Sequence, residues 1–313
     1  GFHKYPTKFF PELPRWAIQR YSKPGEWVLD PMAGSGTVNV ECIVSKRNSI
    51  AIDVDPFARL LTRVKTTPLR EDILADTASW FLARLDSPPS RDLAIPEFPY
   101  MDNWFRPEIL RELAFIKKLI EEIPFNNHIP DQETRKYKDF YRICMSSIIR
   151  AVSNTDNNCT RTVVRKKLNK EIKPGMAVAL FRKTIETNVP KMIEFSRRYP
   201  QGYIVDIREN DDARNITVDT PVDLAVTSPS YINACDYLRT HQLEMYWLGL
   251  ISNKVLADLK RHYIGTEAVK AADYCSLKTF GNPALDKLLK DIFEQDPRRS
   301  FIIYQYFVDM RGN

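Results

Sequence analysis

Cysteine is scarce and unpaired in this sequence. Its five cysteines, Cys42, Cys144, Cys159, Cys235 and Cys275, form no Cys-x-x-Cys pair, and no histidine cluster accompanies them. That argues against a zinc site and against a disulfide framework, so no metal is expected and the thiols are read as reduced. No apolar run approaches the roughly 18 residues of a membrane span. No signal peptide is recognisable at the start, and a cytoplasmic protein without a membrane partner is expected. Two glycine-rich nucleotide loops are also missing. There is no Gly-x-Gly-x-x-Gly, which counts against a dinucleotide-binding oxidoreductase, and no Gly-Lys-Ser/Thr, which excludes a P-loop.

What remains is ordinary globular material. The chain has 313 residues, 43% hydrophobic and 27% charged, enough for one large or two ordinary domains with a real core. Charge is uneven along it. The whole carries +6, but residues 101–200 hold 20 Lys and Arg against 12 Asp and Glu, a net +8. Such an excess is either a solvated helical surface or an electrostatic footprint for a polyanion. Within it, Arg161, Arg165, Lys166, Lys167, Lys170 and Lys173 follow one another in 13 positions, a run suited to phosphate contacts.

The first recognisable unit is a βαβ. A helix over about 13–21 ends at Pro24-Gly25, and Glu26–Asp30 reads as a strand. The turn Pro31-Met32-Ala33-Gly34-Ser35-Gly36-Thr37 leads into a helix over 38–44, and Ser49–Pro56 reads as a second strand ending in acids. Gly34 and Gly36 let a ligand approach the backbone, and the helix start after them favours an anionic group. An acid such as Asp53 at the end of the second strand suits ribose hydroxyls. Helices are expected over about 73–85, 105–123, 140–152 and 174–198, with a proline-rich crossing at 86–99. A third strand is expected at Gly202–Asp206 and a fourth at Val222–Thr227. Residues 236–249 read as a helix, residues 253–282 show no pattern, and Pro283–Phe293 and Phe301–Met310 read as helices. Boundaries follow. Residues 1–72 and 201–313 form a core that a mainly helical, basic insertion over residues 73–200 interrupts.

The fourth strand runs into Ser228-Pro229-Ser230-Tyr231. Proline ends sheet pairing, so this turn has little structural motive unless it holds a flat ring bearing an amine. The Ser228 hydroxyl and the Pro229 carbonyl can accept the amine hydrogens while Tyr231 stacks on the ring. No cysteine follows a proline, which argues against a covalent cysteine route.

Taken together these motifs resemble an S-adenosylmethionine-dependent DNA amino-methyltransferase of restriction–modification type, most similar to the cytosine-N4 group. Asp30-Pro31-Met32-Ala33-Gly34-Ser35-Gly36-Thr37 resembles the family's cofactor loop, and Thr227-Ser228-Pro229-Ser230-Tyr231 resembles its catalytic motif. His3-Lys4-Tyr5-Pro6-Thr7-Lys8-Phe9 resembles the segment over the cofactor's methionine end, and Asp212-Ala213-Arg214 the acidic turn near its adenine. The likeness covers roughly 1–70 and 200–250.

It implies an α/β fold with a Rossmann-like class I methyltransferase sheet. Tyr5, Lys8, Asp30, Pro31, Met32, Ala33, Gly34, Gly36, Thr37, Asp53, Asp212 and Ala213 would then bind the cofactor, S-adenosyl-L-methionine. Ser228, Pro229 and Tyr231 would be catalytic. Arg161, Arg165, Lys166, Lys167, Lys170, Arg239 and His241 would contact double-stranded DNA, within a nucleoid-associated protein paired with a cognate restriction endonuclease. Met32 stands where the family has Phe, and Ser230 where it has a second Pro, which predicts a looser catalytic turn. The family's sheet needs more strands than are legible here. They come from a longer chain, from another chain, or from segments read as irregular. An adenine-N6 or RNA-base methyltransferase and a catalytically weak DNA-binding module remain alternatives.

Overall fold

The computed structural model describes residues 2–87, 92–125, 129–164, 170–209, 211–232 and 237–311. Helix α1 (Glu12–Tyr21) precedes strand β1 (Trp27–Asp30), helix α2 (Thr37–Val44) and strand β2 (Asn48–Ile52). β1 and β2 pair in parallel with Leu29 opposite Ile50, a geometry that requires the connection to cross over as a helix. The sequence reading carries the second strand to Pro56 and places no helix after it, yet α3 (Pro56–Thr66) begins there. Its start has a clear local cause. The Asp55 side chain accepts from the Phe57 and Ala58 amides at 2.8 and 3.3 Å, and Pro56 takes the first helical position.

Five helices follow: α4 (Glu71–Arg84), the single turn α5 (Met101–Trp104), α6 (Pro107–Glu121), α7 (Asp131–Ile149) and α8 (Met176–Arg198). The chain then returns to the sheet. β3 (Val205–Arg208) pairs in parallel with β2, and β4 (Leu224–Ala225) in parallel with β1. The sheet order is β3-β2-β1-β4. This is a parallel, Rossmann-like α/β arrangement, as the sequence implies. The third strand starts later than expected, because Gly202 (φ 87°) closes a turn before it. The fourth pairs over two residues only, with the Val226 amide adding one bond to Leu29 O at 2.9 Å.

Beyond the sheet lie α9 (Tyr237–Thr240), α10 (Gln242–Trp247), α11 (Asn253–His262), a 3-10 turn at Ala271–Tyr274, α12 (Pro283–Phe293) and α13 (Pro297–Arg311). α11 falls in the stretch that shows no pattern in the sequence. Ser252 caps it, its hydroxyl accepting from the Val255 amide at 3.5 Å. Among the described residues, no helix is long and apolar enough to cross a membrane.

Successive residues of a strand face opposite sides, and β1 uses both. Val28 packs with Ile18 of α1 and with Val38 and Cys42 of α2. Leu29 joins Ile50 and Ile52 on the other face, under Ile216, Val218 and Val222. The largest apolar cluster lies elsewhere. It runs without a break from Phe57 and Leu61 of α3 through α4 and α6–α8 to Leu243 and Trp247 of α10. Trp247, Tyr137, Phe81 and Phe181 are fully buried in it, each stabilising the fold by roughly 1.5–3 kcal/mol. The helical layer therefore shares its core with an element that flanks the sheet.

Candidate functional site

In open parallel sheets the natural ligand crevice lies past the carboxyl ends of the strands, where neighbouring connections diverge. Here that place is beside β1, between β2 and β4. A cleft of about 840 Å³, open mouth included, occupies it. Asp30, Pro31, Met32, Ala33, Gly34 and Thr37 line it from the first strand and its turn. Asp53 lines it from the second, Asp212 and Ala213 from the loop after the third, and Ser228 from the end of the fourth. Tyr5 and Lys8 of the opening segment complete it. The structure thus brings together twelve expected positions that are widely separated in sequence.

Backbone geometry explains the two glycines. Gly34 (φ 49°) and Gly36 (φ 69°) are both left-handed, where a side chain is strained. A Cβ on Gly36 would lie 2.6 Å from Thr62 Oγ1. Gly36 therefore packs against α3 and does not line the cleft; it shapes the loop that does. The Gly34 amide donates to Asp53 Oδ2 at 2.7 Å, and the Asp55 amide to Asp53 Oδ1 at 2.8 Å. Asp53 ties the glycine turn to the end of the second strand. Each of its oxygens keeps a further acceptor direction.

Burial dominates the electrostatics. Asp30 and Asp53 are both pushed up to about 7, chiefly because burial disfavours their charged forms. The Met32 amide, which donates to Asp30 Oδ1 at 3.2 Å, opposes the shift at Asp30, and the neighbouring Asp55 carboxylate adds to it at Asp53. Lys65, whose ammonium donates to the Ser35 carbonyl, is lowered to about 7 by burial and then by the charge of Lys8. Asp30 is buried and Asp53 half-buried beside the cleft, an arrangement suited to a cationic ligand.

The opening segment is pinned from above. Thr7 Oγ1 donates to the Tyr237 hydroxyl at 3.2 Å. Tyr5 stacks on His241 with ring centroids 4.9 Å apart and 24° between planes. His241 also meets Phe57 at 4.6 Å and is 1% exposed. The expectation that His241 contacts DNA is therefore corrected: it is a core residue backing Tyr5, and burial keeps it neutral.

Lys170 needs a similar correction. Its ammonium donates to the carbonyls of Arg150 at 2.7 Å, Ser153 at 2.8 Å and Thr155 at 3.3 Å, and to Asn157 Oδ1 at 3.0 Å. It ties its own loop together, and half-burial lowers it to about 8. Arg161 is partly exposed and pairs with Glu267 at 3.6 Å. Arg239 is exposed on α9. Arg165, Lys166 and Lys167 lie outside the described residues. The basic loop docks on α9: Thr162 donates from its amide to Arg239 O at 3.3 Å and from its hydroxyl to Thr240 O at 3.2 Å.

Pro229 and Tyr231 do not line the cleft. Both are exposed, Tyr231 by 55%, one and three residues beyond Ser228. An exposed ring next to a cleft-lining serine is available to stack on something arriving from solvent. Several lining residues escape sequence reasoning: Asp55, Ser230, Tyr237, and His262, Tyr263 and Ile264 at the end of α11. The Ser252 cap and the Leu256 and Leu259 spacing signal that helix. Nothing in the local pattern says that its end reaches the cleft.

Residues 1–62 match the family profile described as DNA methylase. The chain is 25% identical over 336 aligned residues to the type II methyltransferase M.MvaI of Kocuria varians, covering 99% of this chain and 71% of that protein. It is 31% identical over 149 residues to the type II methyltransferase M.MjaII of Methanocaldococcus jannaschii, covering 44% of this chain and 27% of the relative. It is 23% identical over 280 residues to the type II methyltransferase M.BsoBI of Geobacillus stearothermophilus, covering 80% and 53%. The chain thus spans only a portion of the length of these curated relatives. No solved structure matches it.

Proposed function

We propose that this chain, which belongs among the DNA amino-methyltransferases of the restriction–modification kind, methylates the exocyclic N4 amine of a flipped cytosine in double-stranded DNA. The observation that carries the reading is the placement of Ser228 on the same cleft as Asp30, Gly34 and Asp53. When bound there, S-adenosylmethionine supplies a methyl group already activated on a sulfonium. The residues present fit such a ligand. The buried carboxylate of Asp30 suits its positive charge, the half-buried carboxylate of Asp53 its ribose hydroxyls, and exposed Lys8 its carboxylate.

An exocyclic amine is a poor nucleophile, because its lone pair is delocalised into the ring. The Ser228 hydroxyl and the Pro229 carbonyl accept its hydrogens, which lets the nitrogen pyramidalise and aim the lone pair at the methyl. No covalent enzyme intermediate is required: the new N–C bond would form as the donor's S–C bond breaks, and the nitrogen would shed its surplus proton to solvent past half-buried Ser228. The contribution of these residues is positioning and polarisation. A base inside a duplex cannot reach a cleft, so it must be extruded at a cost of a few kcal/mol. Tyr231 provides the face on which it stacks. Serine at 228, rather than Asp or Asn, favours cytosine over adenine. A cognate restriction endonuclease is the expected partner.

The substrate assignment is checked by incubating the protein with unmodified DNA and S-adenosylmethionine, digesting to nucleosides and analysing them by mass spectrometry. N4-methylcytosine is expected. Finding only N6-methyladenine would overturn the cytosine assignment.

Cofactor affinity should depend on pH in a defined direction. A cation favours ionised Asp30 and Asp53, both near 7 in the free protein. Above that value they are charged and affinity is level. Below it, protons must be expelled on binding, and affinity falls by up to about tenfold per pH unit for each carboxylate. Calorimetry at pH 6 and 8, repeated in two buffers to count released protons, reads this directly. Equal affinity at both values with no proton release would remove the two acids from cofactor binding.

A further inference from the structure

The turn Ser228–Tyr231 hangs from a weak support. β4 contributes two paired residues at the sheet edge, and among the described residues its only ladder partner is β1. A turn that must hold an amine in one orientation needs more than that. The family's motif has a second proline at position 230, where a fixed φ would stiffen the backbone, and this chain has serine.

The structure shows where the serine points. Ser230 Oγ donates to the Ile264 carbonyl at 3.0 Å. The Ser230 carbonyl in turn accepts from the Tyr306 hydroxyl at 2.9 Å. One residue of the turn is therefore gripped twice, by its side chain and by its backbone, from two different elements: the loop after α11 and helix α13. Gly265 allows the grip. It is left-handed (φ 80°), and a Cβ there would stand 3.3 Å from the Tyr231 carbonyl and 3.4 Å from the Tyr306 ring. The loop is itself anchored on α13, where Arg298 donates to the Glu267 carbonyl at 2.8 Å.

We infer that Ser230 and Tyr306 are positioning residues that clamp the amine-binding turn onto Ile264 and α13, replacing by two tethers the stiffness that a second proline would give. The inference rests on the methyltransferase reading for its functional half, and on the hydrogen bonds alone for its mechanical half. It reverses the expectation that serine at 230 loosens the turn. It also gives the last helix a role in catalysis without contact with the reacting atoms.

The test uses Ser230→Ala, Ser230→Thr and Tyr306→Phe in the full chain, with two readouts. Hydrogen exchange followed by mass spectrometry measures protection of the peptide spanning 224–232. A tether worth one ordinary hydrogen bond predicts about two- to tenfold faster exchange there in S230A and Y306F, with peptides from α6–α8 unchanged. Steady-state methylation measures the consequence. kcat should fall about three- to tenfold in S230A and Y306F, while the dissociation constant for S-adenosylmethionine stays within about twofold. S230T, which keeps the hydroxyl, should lie nearer wild type than S230A. Because both tethers hold one residue, the S230A/Y306F double variant should lose less than the product of the two single losses.

Unchanged exchange at 224–232 in both single variants overturns the clamp. Faster exchange with unchanged kcat overturns its role in positioning. A loss of cofactor affinity with kcat unchanged at saturation makes Ser230 a ligand contact and also overturns it. If wild-type protein methylates nothing, the methyltransferase reading and the positioning role fail together, and the exchange result still decides whether the turn is clamped.

Discussion

Alanine at Ser228 is expected to lower kcat for methyl transfer by about two to three orders of magnitude, the usual consequence of removing one preorganised polar partner from a reacting group. The dissociation constant for S-adenosylmethionine should stay within a few-fold. Ser228 is the residue that lines the cleft from the end of the fourth strand, whereas the acids and the glycine turn make up more of its wall. The split is what matters. An interaction made only as the amine is attacked lowers kcat and kcat/KM equally and leaves ground-state binding alone. Single-turnover methylation with saturating cofactor, beside calorimetric cofactor binding, separates the two. A kcat within threefold of wild type would place the amine-binding group elsewhere.

Gly36→Ala is the second large effect, and it acts through the fold. The backbone there is left-handed, and the added methyl meets Thr62 at 2.6–2.9 Å across Oγ1, Cγ2 and Cβ. The left-handed strain costs roughly 1–2 kcal/mol and overpacking about 1–3 more. Thr62 sits inside α3, so it cannot simply swing away. Relief comes from moving the turn, which carries the Gly34 amide off Asp53. Two results are expected together: a melting temperature lowered by several degrees and cofactor affinity weakened by at least about tenfold. Differential scanning calorimetry and cofactor titration read them. A melting temperature within a degree of wild type would mean that the α2–α3 packing yields more easily than this geometry allows.

Much of this site is legible in the sequence. The Asp-Pro-x-x-Gly-x-Gly-Thr run and the Ser-Pro-x-Tyr turn each pair a strand end with residues that strands avoid. Turn chemistry of that kind is local, so it survives in the sequence. Asp53 is legible for the same reason, as an acid closing an apolar strand. His241 misleads because proximity in sequence to the Ser228–Tyr231 turn says nothing about direction. One helical turn carries its ring inward beneath Tyr5. Lys170 misleads because a basic run looks the same whether its ammonium groups meet solvent or their own loop's carbonyls. The roles of Ser230 and Tyr306 are invisible there, since their partners lie 34 and 76 positions away. Contacts of that kind are decided by tertiary packing, on which local propensity is silent.

The unbroken apolar cluster from α3 to α10 bears on how such a protein can be recombined. A segment is useful to an engineer only if it can be lifted out and exchanged. Exchanging residues 73–200 alone would leave Phe57, Leu61, Leu243 and Trp247 facing a foreign surface, since these side chains complete the packing of α6–α8. A graft from 56 to 251 carries that cluster whole, but it also brings β3 and β4, and with them Ile216, Val218 and Val222, which pack on Leu29, Ile50 and Ile52 of the recipient. It takes with it His241 and the Tyr237 hydroxyl that hold down the opening segment. A chimera cut at those points keeps the helical interior whole and moves the mismatch into the sheet, whereas one cut at the edges of the helical layer leaves the mismatch in the largest cluster.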